Sequence, residues 1–104
     1  MVRKVPEPKV PPARVQFLNA AAELTDGARD RSYGPPSINL KCSGNLKREI
    51  RRAMIEAGIT LSPACLEALD NVLQKVARVA TGPSPSADTF IDMAAYAAIA
   101  GECY

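Results

Sequence analysis

The chain has no histidine and no tryptophan, and only three of its 104 residues are cysteine. Without histidine few zinc ligands remain, and Cys42, Cys65 and Cys103 show no CxxC spacing. An odd set of thiols makes no disulfide framework, so all three are expected to be small, buried or half-buried side chains. Aromatic residues are scarce as well, 5% against 47% hydrophobic overall, so the core must rest on Ala, Leu, Ile and Val. That composition suits closely packed helices. Long apolar runs are missing: none approaches the roughly 18 residues that a membrane span needs, and the N-terminal MVRKVPEPKVPP lacks the apolar stretch of a signal peptide. The expectation is a soluble, cytoplasmic protein with no membrane partner. No segment alternates with the period of two that marks a strand, which leaves an all-α class.

What is present is a strong charge asymmetry. Residues 1–52 hold eleven of the thirteen Lys/Arg against five Asp/Glu, a balance of +6, whereas residues 53–104 hold two against six, a balance of −4. The first half therefore attracts anions and the second does not. A single domain of this length sits near the size at which one core contributes only modest stability, so association with further copies would help.

Prolines 6, 8, 11 and 12 deny residues 1–12 a helix and predict a basic, flexible, extended arm, followed by a single helical domain over residues 13–104. From Ala13 to about Thr25, two apolar rows at helical spacing, Val15/Leu18/Ala22 and Phe17/Ala21/Leu24, predict an amphipathic helix ended by Asp26-Gly27. The loop ARDRSYGPPSIN follows, with Pro35-Pro36 barring a helix from running back through Tyr33. A second helix starts somewhere between Ser37 and Asn45 and ends at Ala57 before Gly58, with Leu46, Ile50, Ala53, Met54 and Ala57 inward and Lys47, Arg48, Arg51 and Arg52 largely outward. Ser62-Pro63 is an N-cap followed by a first-turn proline; it opens a third helix to about Ala80, built on Leu66, Leu69, Leu73, Val76 and Ala80. Ser86 or Asp88 caps a fourth, in which Phe90, Ile91, Ala94, Ala95, Ala98 and Ile99 leave apolar residues nearly all round. Such a helix is central or an oligomer interface. The architecture expected is a compact bundle of about four helices, assembling as a homo-oligomer.

Chemistry concentrates in few places. Asp92 and Tyr96 share a face of the apolar last helix at i, i+4, and a carboxylate there needs a cation, for which Lys75 or Arg78 is the natural source. In the structural reading these groups only join two helices. In the functional reading Arg29, Arg31, Tyr33, Lys75 and Arg78 converge on a phosphate-bearing, nucleotide-like small molecule, with Tyr33 or Tyr96 stacking on a base and Asp92 orienting an arginine. No residue is nominated as catalytic or as a metal ligand, and no cofactor is expected. A helix-turn-helix is hinted at by AMIEAGITLSPA, with Ala53 and Gly58 near the expected spacing. The would-be recognition helix, however, offers Glu67 and Asp70 and no early Lys or Arg, which argues against sequence-specific DNA binding. The Lys47–Arg52 cluster could touch phosphates only nonspecifically.

The succession of Arg31, Tyr33, Gly34, Pro36 and Asn39, then Thr60 and Pro63, then Lys75, Ala77 and Arg78, and finally Asp88, Phe90, Asp92, Ala94, Tyr96, Ala97 and Ala98 resembles a small family of tailed-phage and prophage proteins of unknown function. The resemblance runs from about residue 17 to 103. Where that family usually has an acidic residue after the glycine this chain has Pro35, and where it often has a glycine before the last tyrosine this chain has Ala95. The resemblance implies an accessory protein that sequesters a nucleotide signal or adjusts nucleotide pools during infection. More distantly the pattern is similar to helical nucleotide pyrophosphohydrolases, which hold Mg²⁺ with about four carboxylates. The pairs Glu23/Asp26 and Asp88/Asp92 are present, but there is no ExxE, so Mg²⁺ belongs to the expectation only if that hydrolase alternative holds. A protein-interaction or oligomerisation module is the remaining alternative.

Overall fold

A computed structural model describes residues 10–26, 34–83 and 86–104. They form four helices and no strand: α1 Ala13–Leu24, α2 Pro36–Ala57, α3 Pro63–Thr81 and α4 Ala87–Cys103. Residues 1–9 of the expected arm, and Arg29, Arg31 and Tyr33 of the expected site, lie outside the described residues. Among the described residues no helix is long and apolar enough to cross a membrane.

The helix ends follow local chemistry. Helix α2 begins at Pro36, earlier than its interior Gly44 suggests, because a proline whose φ already suits a helix sits at its first turn. It stops at Gly58, which adopts the left-handed conformation (φ 67°), with Gly58 N–H donating to Ile55 O and Ile59 N–H to Met54 O. Ser62 caps α3 by accepting the Cys65 N–H at 3.1 Å. Of the two candidates for the α4 cap, the side chain that accepts the Thr89 N–H is that of Ser86, while Asp88 lies in the first turn. A carboxylate there favours the positive end of the helix dipole.

Sustained packing joins α2 to α3 and α3 to α4. Helix α3 is thus the centre, and α4, apolar nearly all round, forms one flank. The buried hydrophobic residues are Cys65, Ala68, Ala77 and Ala100. Leu61, Leu69 and Cys103 pack, half-buried, on the cluster of Cys65, Ala68 and Ala100. Small side chains let the helices approach closely, so the contact seam follows them and not the leucines. The stripe expected to build the core stays open: Leu66, Leu69 and Leu73 are half-buried, while Val76 and Ala80 are exposed. Cys65 is buried and Cys42 and Cys103 are intermediate, in line with three unbridged thiols.

Helix geometry explains the open stripe. At about 100° per residue, Asp70 and Ala77, on the side of α2, project roughly opposite to Ala68 and Lys75, on the side of α4. The leucine stripe occupies one face between these two seams, and Glu67, Asn71, Gln74 and Arg78 occupy the other. Helices α2, α3 and α4 therefore make a layer with one apolar and one polar face. Helix α1 buries no residue at all: Phe17 is 75% exposed, Leu18 67% and Leu24 64%.

Candidate functional site

Two interhelical ion pairs mark the polar face. Lys75 Nζ of α3 lies 3.3 Å from Asp92 Oδ2 of α4, its side chain only 18% exposed against 51% for the aspartate. The butyl stem of Lys75 is thus buried along the seam while its ammonium reaches the carboxylate. Asp92 takes Lys75, one of the two partners expected from its apolar helix. On the other seam Arg51 Nη2 donates to Asp70 Oδ2 at 2.7 Å. Asp70 is 16% exposed, and its buried Oδ1 has no hydrogen-bond partner among the described residues. This second pair was not read from the residues, because the register of α2 against α3 is set by packing and has no local signal.

The remaining nominated groups distribute as follows. Arg78 stands one turn beyond Lys75, half-buried and engaged in an interaction of its own. Tyr96 is half-buried one turn from Asp92 on α4. Lys75, Arg78, Asp92 and Tyr96 therefore belong to the α3/α4 side of the layer. Two of the four residues of the basic cluster of α2, Arg51 and Arg52, are engaged. Besides Arg51, Arg52 donates from Nε to Glu49 Oε2 at 3.2 Å and from Nη1 to Glu56 Oε1 at 3.3 Å. The hydrogen bond and charge of the Arg52 guanidinium hold the Glu49 carboxyl below its ordinary range, and Glu49 in turn raises the guanidinium. The two engaged arginines are thereby less available to nucleic-acid phosphates.

The opposite face carries a groove of about 830 Å³ lined by the apolar Ile38, Cys42 and Leu46 and the polar Ser37, Lys41, Asn45 and Glu49 of α2, and by Thr81 at the end of α3. Cys42 lies about 180° around α2 from Arg51, so the groove opens on the apolar side of the layer. None of these residues was nominated from the sequence. The available signal was the i, i+4, i+8 row Ile38, Cys42, Leu46, which reads equally as core.

Asn39 and Ser43 are the buried polar residues, both on the side of α2 that meets α3. Gly34 closes the α2 end of the layer: with φ 80°, it comes so near α3 that an added Cβ would stand 2.8 Å from Thr81 O. That contact explains Gly34 better than a ligand role does, since only a residue without a side chain fits there. Among the described residues no three of His, Cys, Asp and Glu come together to hold a metal. Glu23 lies on the unpacked α1, remote in the chain from Asp88 and Asp92 on α4.

No curated protein and no solved structure matches the chain. Residues 16–104 match the domain of unknown function DUF6378, and the chain belongs to that family.

Proposed function

We propose that the protein is an oligomerisation module whose copies associate through the apolar face of the α2–α4 layer. The observation that carries this reading is the burial pattern. The buried hydrophobic residues among the described ones are a cysteine and three alanines, while on the layer itself Ile38, Leu40, Ile55, Phe90 and Ile91 are all more than half exposed. A layer with so little large apolar burial and so much apolar surface gains stability by covering that surface. The test is molar mass by sedimentation or light scattering, together with the protein-concentration dependence of unfolding. A multiple of the 11.1 kDa chain mass and a midpoint that rises with concentration are expected. A cooperative unfolding transition of a single chain, independent of concentration, would overturn the reading.

A second reading has its own support in the Lys75–Asp92 pair beside Arg78. A lysine whose stem is buried and whose head is steered by a carboxylate is a pre-positioned cation, suited to a phosphate-bearing, nucleotide-like ligand. Arg29, Arg31 and Tyr33 would complete that site and Tyr96 would line it. An accessory role in a phage or prophage, as the resemblance implies, fits a non-catalytic binder of this kind. A thermal-shift screen against mono- and dinucleotides and cyclic oligonucleotides, with and without Mg²⁺, tests it. The expected result is stabilisation by one class, abolished in Lys75→Ala, with the ligand recovered intact. Recovery of a monophosphate product would favour the hydrolase alternative.

A further inference from the structure

We propose that the apolar face of each α2–α4 layer is covered by helix α1 of a second copy, the two copies exchanging this helix reciprocally. The inference rests on the oligomerisation reading and names the occupant. Each chain holds one helix whose large apolar side chains are exposed and one unoccupied apolar face. Helix α1 buries nothing in its own chain, and the sustained packing of the layer involves α2, α3 and α4. Its twelve residues span about 18 Å, and the stripe from Leu66 to Ala80 about 21 Å at 1.5 Å per residue, so one helix covers most of the stripe.

The two apolar rows of α1, Val15/Leu18/Ala22 and Phe17/Ala21/Leu24, make a broad apolar sector, interrupted in the first turn by Arg14, that can sit in a trough between helices. On the layer, the flanks of that trough come from α2 and α4. Ile38, Cys42 and Leu46 line the groove on one side. On the other, Phe90 and Ala94 lie two residues to either side of Asp92, hence about 200° away from the polar face that Asp92 marks. The layer of α2–α4 holds seven Lys/Arg and seven Asp/Glu, so its charge is balanced and the seat is apolar. Reciprocal exchange uses the same two surfaces twice and closes at two copies with twofold symmetry.

The experiment uses the full chain with the photo-crosslinking residue p-benzoylphenylalanine in place of Phe17, prepared in isotopically light form and mixed with heavy unmodified chain under conditions that permit exchange. Cross-linked peptides joining position 17 of a light chain to residues 66–80 or 90–97 of a heavy chain are expected. In parallel, the double variant Phe17→Asp/Leu18→Asp should halve the molar mass while circular dichroism retains the helix signal of α2–α4. Cross-links to that face confined to one chain would mean that α1 folds back onto its own layer, and would overturn the exchange. An oligomer in which position 17 cross-links elsewhere, or whose mass the double variant leaves unchanged, would overturn the exchange and leave the oligomerisation reading standing. A wild-type chain that is monomeric throughout would overturn both.

Discussion

Ser62 Oγ donates to the Cys103 carbonyl oxygen at 2.5 Å, tying the first turn of α3 to the last turn of α4. The same oxygen accepts the Cys65 N–H at 3.1 Å, so one hydroxyl serves an orphan donor of one helix and an orphan acceptor of another. Replacing it removes both. Ser62→Ala is expected to cost about 2 kcal/mol, combining a lost cap with a stranded carbonyl. Ser62→Asp separates the two roles: it keeps a cap acceptor but sets a carboxylate against the Cys103 carbonyl, and should also fall below wild type. Urea unfolding at fixed protein concentration measures both. A stability for Ser62→Asp equal to or above wild type would show that the bridge to Cys103 contributes nothing.

Gly34 and Gly58 share a positive φ but not an environment. Alanine at 58 meets nothing within 4 Å and bears only the cost of the left-handed conformation, about 1 kcal/mol. Alanine at 34 adds a Cβ 2.8 Å from the backbone oxygen of Thr81, which cannot swing aside as a side-chain end can. Gly34→Ala should cost at least about 2 kcal/mol and loosen the α2–α3 junction. Hydrogen exchange at the last turn of α3 should rise in Gly34→Ala and stay unchanged in Gly58→Ala.

The Arg51–Asp70 pair is expected to respond asymmetrically. Removing the arginine leaves a carboxylate with little solvent access and one oxygen already unpartnered, so Arg51→Ala should cost about 1–2 kcal/mol. Removing the carboxylate frees an arginine that is 41% exposed and can rehydrate. Asp70→Leu should therefore cost less than Arg51→Ala and can stabilise. Chemical denaturation of the two variants decides, and the reverse order would mean that the pair owes its geometry to the arginine's packing.

The exposed Glu49–Arg52 pair predicts a pH signature. Because the guanidinium lowers the Glu49 pKa in the folded chain, any stability from the pair is present above the unfolded glutamate pKa and lost as pH falls through the folded value. Carboxyl-detected NMR titration should place the Glu49 midpoint below that of an ordinary glutamate, and Arg52→Gln should return it there. Full solvent exposure keeps the effect on overall stability small, so thermal midpoints of wild type and Arg52→Gln at neutral pH should be nearly equal.

Local chemistry made the helix ends legible. The Ser62-Pro63 start, the Gly58 stop and the Ser86 cap involve groups within a few residues of one another, and the chain folds there as its residues suggest. The Lys75–Asp92 pairing was legible from the residue types, but its expected cause was not met: Asp92 is 51% exposed, so water can compensate the carboxylate and the buried partner is the lysine. Burial was not legible. Periodicity singles out Leu66, Leu69, Leu73, Val76 and Ala80 because they are large and apolar, whereas close approach of helices selects Cys65, Ala68, Ala77 and Ala100 because they are small. Hydropathy ranks these groups in the wrong order for a layer with an open face. The Arg51–Asp70 pair was hidden too, since residues nineteen apart meet only once the α2–α3 register is set.

The central position of α3 bears on how the chain comes together in time. Each of its two packed neighbours is also its neighbour in sequence, joined by a short turn, so every major contact of the layer closes a small loop. Such local topologies form rapidly, and either helical hairpin can nucleate the other. If α1 then finds its seat on another copy, the slow step of maturation is an encounter between chains. The apolar face stays uncovered for a time that lengthens as the protein is diluted, and a newly made chain stays open to proteolysis longest when copies are few.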